Sequence, residues 1–250
     1  MYLGPLLEML DPQTPSGDSE TTSPAHASIF HKAPNQTLVL LVDIKASGLE
    51  GLHYLHEHLQ PLRDKGYLTY FDGEKRIHGA ITVVATGEAP FLSIIANKTY
   101  RDIFFDAPLQ RIWEPPRLPI ADTDMRTFAM DYGSAMADGL RPAASEPEPK
   151  PFDATNSFYA SVSFRSAVGY VWRGHLSTRQ MRVIRGHIRG ARRRGLKVRY
   201  WDTPVWPIAL RNHIWHVLSK EGAEILSVDD IRGCAMASWK AKKHGWFSWW

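Results

Sequence analysis

The chain contains a single cysteine, Cys234, among 250 residues. An intramolecular disulfide is therefore excluded, and so is a cysteine-rich metal site. No window approaches the roughly 18 consecutive apolar residues of a membrane-spanning helix. The opening residues, Met1-Tyr2-Leu3-Gly4-Pro5, lack a basic stretch followed by an apolar run, so no signal peptide is expected. One-sided charge is scarce too: 30 Lys and Arg against 26 Asp and Glu leave +4, which does not call for a polyanion partner. Neither G-x-G-x-x-G after a strand nor G-x-x-x-x-G-K-[ST] occurs, which removes the usual sequence support for a nucleotide-binding sheet. The remaining composition, 44% hydrophobic and 22% charged, is globular and sufficient for one large domain or two small ones.

Six short apolar runs rich in β-branched and aromatic residues are present, at 38–45, 80–85, 103–105, 159–164, 196–201 and 224–228. The first, Leu38 to Lys45, is apolar on both faces until Asp43, the pattern of a strand covered on both sides in a parallel sheet. Successive starts lie about 20 to 55 residues apart, room for a crossover helix and far more than a hairpin needs. Between them, Leu52, Leu55, Leu59 and Leu62 form one helical stripe, and Leu210, Ile214, Val217 and Leu218 another. Thr203 and Pro204 suit the start of the second helix, and Gly222 its end. Residues 1–233 read as one domain with a flexible insert at 11–30 and a proline-rich loop at 139–153. A basic, tryptophan-rich tail occupies 234–250.

Repeated strand–helix units allow a doubly wound sheet or a (β/α) barrel. Polar residues gather where the strands end: Asp43 and Lys45, Thr86, Asp106, Trp201 and Asp202, Asp229 and Asp230. In a barrel those ends converge on the face where active sites are built, which favours the barrel.

Asp43 and Lys45, two apart on a strand, point to the same face. A carboxylate can ligate Mg²⁺ or Ca²⁺ and an ammonium can neutralise phosphate; the pair can equally be an ion pair closing the strand. Trp201 is either a wall of a substrate pocket or a core residue before a helix cap. Asp229 and Asp230 are expected to terminate a strand and to cap the segment after it. His53, His56 and His58 do not make H-E-x-x-H and read as a solvated helix face. Arg179, Arg182, Arg185, Arg189 and Arg192 share one helical face, with Met181, Ile184 and Ile188 on another. Without interleaved aromatics this reads as an outward helix surface, and no nucleic-acid partner is expected. Asn35-Gln36-Thr37 and Asn97-Lys98-Thr99 are glycosylation sequons, a weak pointer to a secretory location.

Several segments together carry a resemblance: Tyr2 to Glu8, Asn35 to Lys45 (NQTLVLLVDIK), Gly66 to Phe71, Thr99 to Leu109, Tyr159 to Phe164, and Gly195 to Pro204 (GLKVRYWDTP). Along nearly its whole length the chain resembles the fungal altered-inheritance-of-mitochondria protein 6 family of phospholipase-C-like phosphodiesterases. Glycerophosphodiester phosphodiesterases and the sphingomyelinase D type share that superfamily. The resemblance implies an α/β fold, a TIM-type (β/α) barrel of which this chain supplies about six of eight units, the third to the eighth. It implies Mg²⁺ or Ca²⁺, a phosphodiester or phospholipid-type substrate, and a histidine pair as acid and base. By motif Asp43 takes the place of a metal carboxylate, Lys45 that of the phosphate-neutralising catalytic lysine, and Trp201 that of the pocket tryptophan. The family's leading His-Asn-Asp, Glu-Ala-Asp-Val-Trp and Gly-His-Asp motifs do not occur in this sequence. The expectation is therefore a chain with little or no activity and doubtful metal binding, its unpaired strand edges open to oligomerisation. A non-catalytic binding or scaffold protein on the same partial barrel is the rival reading. A mitochondrial or secretory compartment is left open.

Overall fold

A computed structural model describes residues 3–11, 28–30, 32–45, 47–115, 152–237 and 239. Most of the expected insert, of the proline-rich loop and of the tail lies outside the described residues. The six apolar runs are the strands of one six-stranded sheet in an α/β fold. They are β1 (Leu38–Ile44), β4 (Ile81–Gly87), β5 (Ile103–Pro108), β6 (Ser157–Ser163), β7 (Lys197–Trp201) and β8 (Ile225–Leu226), adjacent in chain order. The residues divide into two compact units. One holds the described parts of Met1–Pro108, Asp138–Ala160 and Arg192–Leu196; the other those of Leu109–Ala137, Ser161–Ala191 and Lys197–Trp250.

In the first unit β1 pairs with β4 and β4 with β5, all parallel, with Asp43 opposite Thr86 and Val84 opposite Phe104. Alternation sets the two faces of β1. Leu38, Leu40, Val42 and Ile44 join a core with Leu52, Leu59, Leu62, Val83 and Ile103, so Asp43 belongs to the opposite face. Two further helices add to the same core, α1 (Leu3–Leu10) through Leu10 and α4 (Phe91–Ile94) through Ile94. The leucine stripe read as one helix is two: α2 (Gly48–His58) and α3 (Gln60–Asp64). Leu59 lies between them, and Pro61 in the first turn of α3 cannot donate the hydrogen bond a continuous helix requires. The stripe itself holds, with Leu52, Leu59 and Leu62 all buried.

Arg63 of α3 fixes this helix to the start of β5. Its Nε donates to Asp102 Oδ2 at 2.5 Å, and Nη1 donates to Gln60 Oε1 at 2.7 Å. Tyr100 Oη donates to the same Asp102 oxygen at 3.2 Å. The Asp102 side chain is 1% exposed. Burial and the adjacent carboxylate push the Tyr100 hydroxyl up to about 12.

A small antiparallel hairpin, β2 (Tyr70–Phe71) and β3 (Arg76–Ile77), precedes β4 and was not expected. Asp72 Oδ1 accepts from the backbone N–H of Glu74 and Lys75, and Gly73 takes φ 101°. Arg76 lies over the rings of Phe158 at 5.1 Å and Phe104 at 5.9 Å. Arg101 covers Phe71 at 4.0 Å and donates to the Thr155 carbonyl.

The second unit pairs β7 with β8 in parallel and adds α5 (Phe164–Ala167), α6 (Thr178–Arg193), α7 (Ile208–Glu221) and α8 (Ile231–Met236). The arginine-bearing helix α6 buries Val183, Ile184, His187 and Ile188, as its apolar spacing predicts for 184 and 188. Arg185 forms a bidentate pair with Glu221 of α7, at 2.8 and 2.9 Å. A 3₁₀ turn, Leu109–Ile112, and the adjoining Trp113 cross α6 where it has no side chains. A Cβ at Gly186 would sit 2.0 Å from Trp113 Nε1, and one at Gly190 would sit 1.6 Å from the Ile112 carbonyl oxygen.

Helix α7 starts four residues later than Thr203-Pro204 suggests. Pro207 occupies the N-cap position, and no side chain caps the helix. Its end falls where expected: Gly222, at φ 106°, donates to the Leu218 and Ser219 carbonyls, and Ala223 donates to Leu218.

Candidate functional site

The chemistry-bearing residues of the first unit lie at the carboxyl ends of β1, β4 and β5. Pairing in register puts Asp43 beside Thr86, and Thr86 Oγ1 donates to Asp106 Oδ2 at 3.1 Å. Three neighbouring strands thus present oxygen-bearing side chains on the face turned away from the leucine core. Lys45 continues the same alternation just past β1, and its Nζ lies 2.5 Å from Asp43 Oδ2. The two side chains are 81% and 45% exposed. An ion pair this open to water contributes at most about 1 kcal/mol to stability. It is better placed to meet a ligand than to hold the fold.

The Asp43 carboxylate rests against the turn after β4. Gly87 has φ 72°, and a Cβ there would fall 2.3 Å from Asp43 Oδ1 and 2.4 Å from the Ile44 carbonyl oxygen. The Glu88 N–H donates to that same carbonyl at 2.7 Å. Gly87→Ala is expected to cost about 1–2 kcal/mol through left-handed strain and the backbone clash. It is also expected to displace Asp43, visible as chemical-shift changes at Asp43 and Lys45; unchanged shifts and melting would show the turn to be slack.

Trp201 ends β7 in the second unit. Its strand neighbour Tyr200 is buried against α6, donating or accepting at His187 Nδ1 over 2.9 Å and packing edge-on to Phe164. Trp201 therefore belongs to the opposite face and is 44% exposed, not a core residue. Asp202, at φ 55°, accepts from Ser163 Oγ at 3.0 Å and faces Arg165 Nη2 at 3.6 Å. Ser163 also caps α5 by accepting from the Ser166 N–H. This Ser163–Asp202–Arg165 group escaped sequence reasoning, since Asp202 lies 39 residues from Ser163 and matches no spacing rule.

The bland readings of other residues hold. Asp230 caps α8 by accepting from Gly233 N–H at 2.7 Å and pairs with Arg211 at 2.8 Å. Those contacts hold its carboxyl below the usual range. His53 faces Glu57 at 3.2 Å, and His58 Nδ1 lies 2.7 Å from the Tyr54 carbonyl oxygen. Among the described residues no group of three or more His, Cys, Asp or Glu could hold a metal ion.

Residues 1–106, which include Asp43, Lys45 and Thr86, match the AIM6-like phosphodiesterase domain. Similarity to curated fungal proteins extends over most of the chain. An altered inheritance of mitochondria protein 6 homolog from Arthroderma benhamiae is 31% identical, over 92% of this chain and 62% of its own length. The chain is thus similar to the AIM6-like phosphodiesterases, through the domain match over residues 1–106 and the longer alignment to this relative. Altered inheritance of mitochondria protein 6 from Zygosaccharomyces rouxii is 29% identical, and that from Saccharomyces cerevisiae strain RM11-1a 28%. Each aligns over 92% of this chain but only 51% and 55% of its own length. The chain thus spans between half and two thirds of the length of these relatives. No solved structure matches it significantly. Among the described residues no helix is long and apolar enough to cross a membrane.

Proposed function

We propose that the end of β1 is a phosphodiester-handling site of the phospholipase-C-like type, built on a TIM-type barrel of which this chain contributes the third to eighth units. The carrying observation is the Asp43–Lys45 pair, 2.5 Å apart and open to solvent on the face away from the core. Lys45 would neutralise a phosphate oxygen of a glycerophosphodiester or phospholipid as it approaches; separately, the exposed Trp201 of the second unit is proposed, on the resemblance, as a pocket tryptophan.

A divalent ion does not fit the described donors well. Mg²⁺ takes about six oxygens in near-octahedral order, whereas Asp43 offers one carboxylate already engaged by a lysine. Asp43 is proposed as a ligand in a weak Mg²⁺ or Ca²⁺ site, and no step is routed through the ion. With the family's histidine acid and base absent from this sequence, roughly 10²–10⁴-fold of rate per group is missing. The reading is of a chain that binds a phosphodiester and turns it over slowly or not at all.

Glycerophosphocholine titrated with Mg²⁺ is expected to shift the resonances of Asp43, Lys45, Thr86 and Gly87. Binding should weaken several-fold in Lys45→Ala. Equal responses in parent and variant would overturn the site, and metal-dependent cleavage of glycerophosphocholine or a lysophospholipid by the purified chain would overturn the inactivity.

A further inference from the structure

The second unit exposes large apolar side chains on the segments that leave its strands. Tyr170 and Trp172 come after α5, Val205, Trp206 and Ile208 after β7, and Ile231 after β8. Tyr170, Trp172, Trp206 and Ile231 are 79%, 68%, 77% and 76% exposed. Three contacts place these segments at one end of the unit. Ser163 Oγ donates to Asp202 and joins the ends of β6 and β7; β7 and β8 run parallel; Arg211 of α7 donates to Asp230 beyond β8 at 2.8 Å.

One segment is a preformed projection. His175 N–H donates to the Trp172 carbonyl at 3.0 Å, with Arg173 at φ 49° and Gly174 at φ 75° between them. Two successive positive φ values make a tight turn of the I′ kind, which presents Arg173 at its tip. The Tyr170 and Trp172 rings lie beside it, 6.4 Å apart.

Charge accompanies the rings. Residues 154–201 carry eleven Lys and Arg and no Asp or Glu. At the strand ends Arg165, Arg173 and Arg232 are exposed. Of the carboxylates there, Asp202 faces Arg165 and Asp230 faces Arg211, and Asp229 stands beside them.

We infer that this end of the second unit docks on the surface of an anionic phospholipid bilayer, with Trp172 and Trp206 at headgroup depth and Arg173 against lipid phosphates. Tryptophan and tyrosine favour the membrane–water boundary because each ring has an apolar body and a polar handle. Arginines beside them gain from the negative surface potential of the lipid. The aliphatic members of the patch, Val205, Ile208 and Ile231, favour acyl chains over a nucleic acid, whose bases stack on aromatic rings and not on branched aliphatics. This surface rests on side chains of the second unit alone and does not depend on the phosphodiester reading.

The full chain is tested by sedimentation with phosphatidylcholine vesicles with and without roughly 30% phosphatidylserine. Binding is expected to be about tenfold or more tighter to the anionic vesicles, and to weaken about tenfold in Trp172→Ala/Trp206→Ala and in Arg173→Glu. In the parent, bromine atoms near the headgroups should quench tryptophan fluorescence, a readout that stands even if a variant folds poorly. Absent binding, equal binding to neutral vesicles, unchanged affinity in folded variants, or no bromine quenching would each overturn the inference. So would RNA that displaces the chain from vesicles and binds the tryptophan variant as well as the parent.

Discussion

Replacing Arg63 by leucine is expected to cost about 3–5 kcal/mol of stability, the range for removing one partner of a buried ion pair. The groups left behind set that magnitude. Asp102 is almost fully enclosed, and its Oδ1 is already without a hydrogen-bond partner. Without the Arg63 guanidinium, its Oδ2 would keep only the Tyr100 hydroxyl. An uncompensated carboxylate in such surroundings is far more costly than the loss of an exposed charge pair. Arg63→Leu/Asp102→Leu should recover most of the loss, because no charge is then left buried. Urea unfolding of the parent and both variants measures this. A cost below about 1 kcal/mol for Arg63→Leu would mean that the carboxylate finds water or another donor.

Mild acid is expected to destabilise the second unit through His187. This imidazole is fully enclosed in α6 and hydrogen-bonded to Tyr200, and burial pushes it down from its usual 6.5 to about 3. The unfolded chain therefore binds a proton that the folded chain refuses. Full stability from this group is present above about pH 6.5 and is lost as the pH falls from there toward about 3, at roughly 1.4 kcal/mol per pH unit. Between pH 7 and pH 5 the loss is about 2 kcal/mol. His56 and His213 are shifted down by partial burial as well and act in the same direction. His187→Gln isolates the larger part: its stability should fall less steeply over this window than the parent's. Parallel profiles for the two proteins would show that water reaches the ring.

The strand plan was legible because each strand falls on a short run rich in apolar, β-branched and aromatic residues set between helical patterns, and the strands are adjacent in the sheet in chain order. The pair at the end of β1 was legible for the same reason, since a period of two is strict on a strand. The features that escaped were those decided by distant contacts. The β2–β3 hairpin has two residues per strand, too few for alternation to register, although Asp72-Gly73 marks its turn. Thr203-Pro204 resembled a helix start, but Pro207, four residues beyond Thr203, takes the N-cap position. Arg63 and Asp102 meet across 39 residues with no pattern to announce them. The strand ends that carry Ser163 and Asp202 could be read, but not that their side chains would bond.

The two bare positions on α6, Gly186 and Gly190, also fix the rotational phase of that helix. Turning it by a single residue, about 100°, would drive His187 and Ala191 toward Trp113 and the Ile112 carbonyl, where even one methyl group finds no room. The arginines at 182, 185 and 189 lie about a quarter-turn around the cylinder from that notch. A methyl group at position 190 would meet the Ile112 carbonyl oxygen and is expected to lift the helix at that crossing.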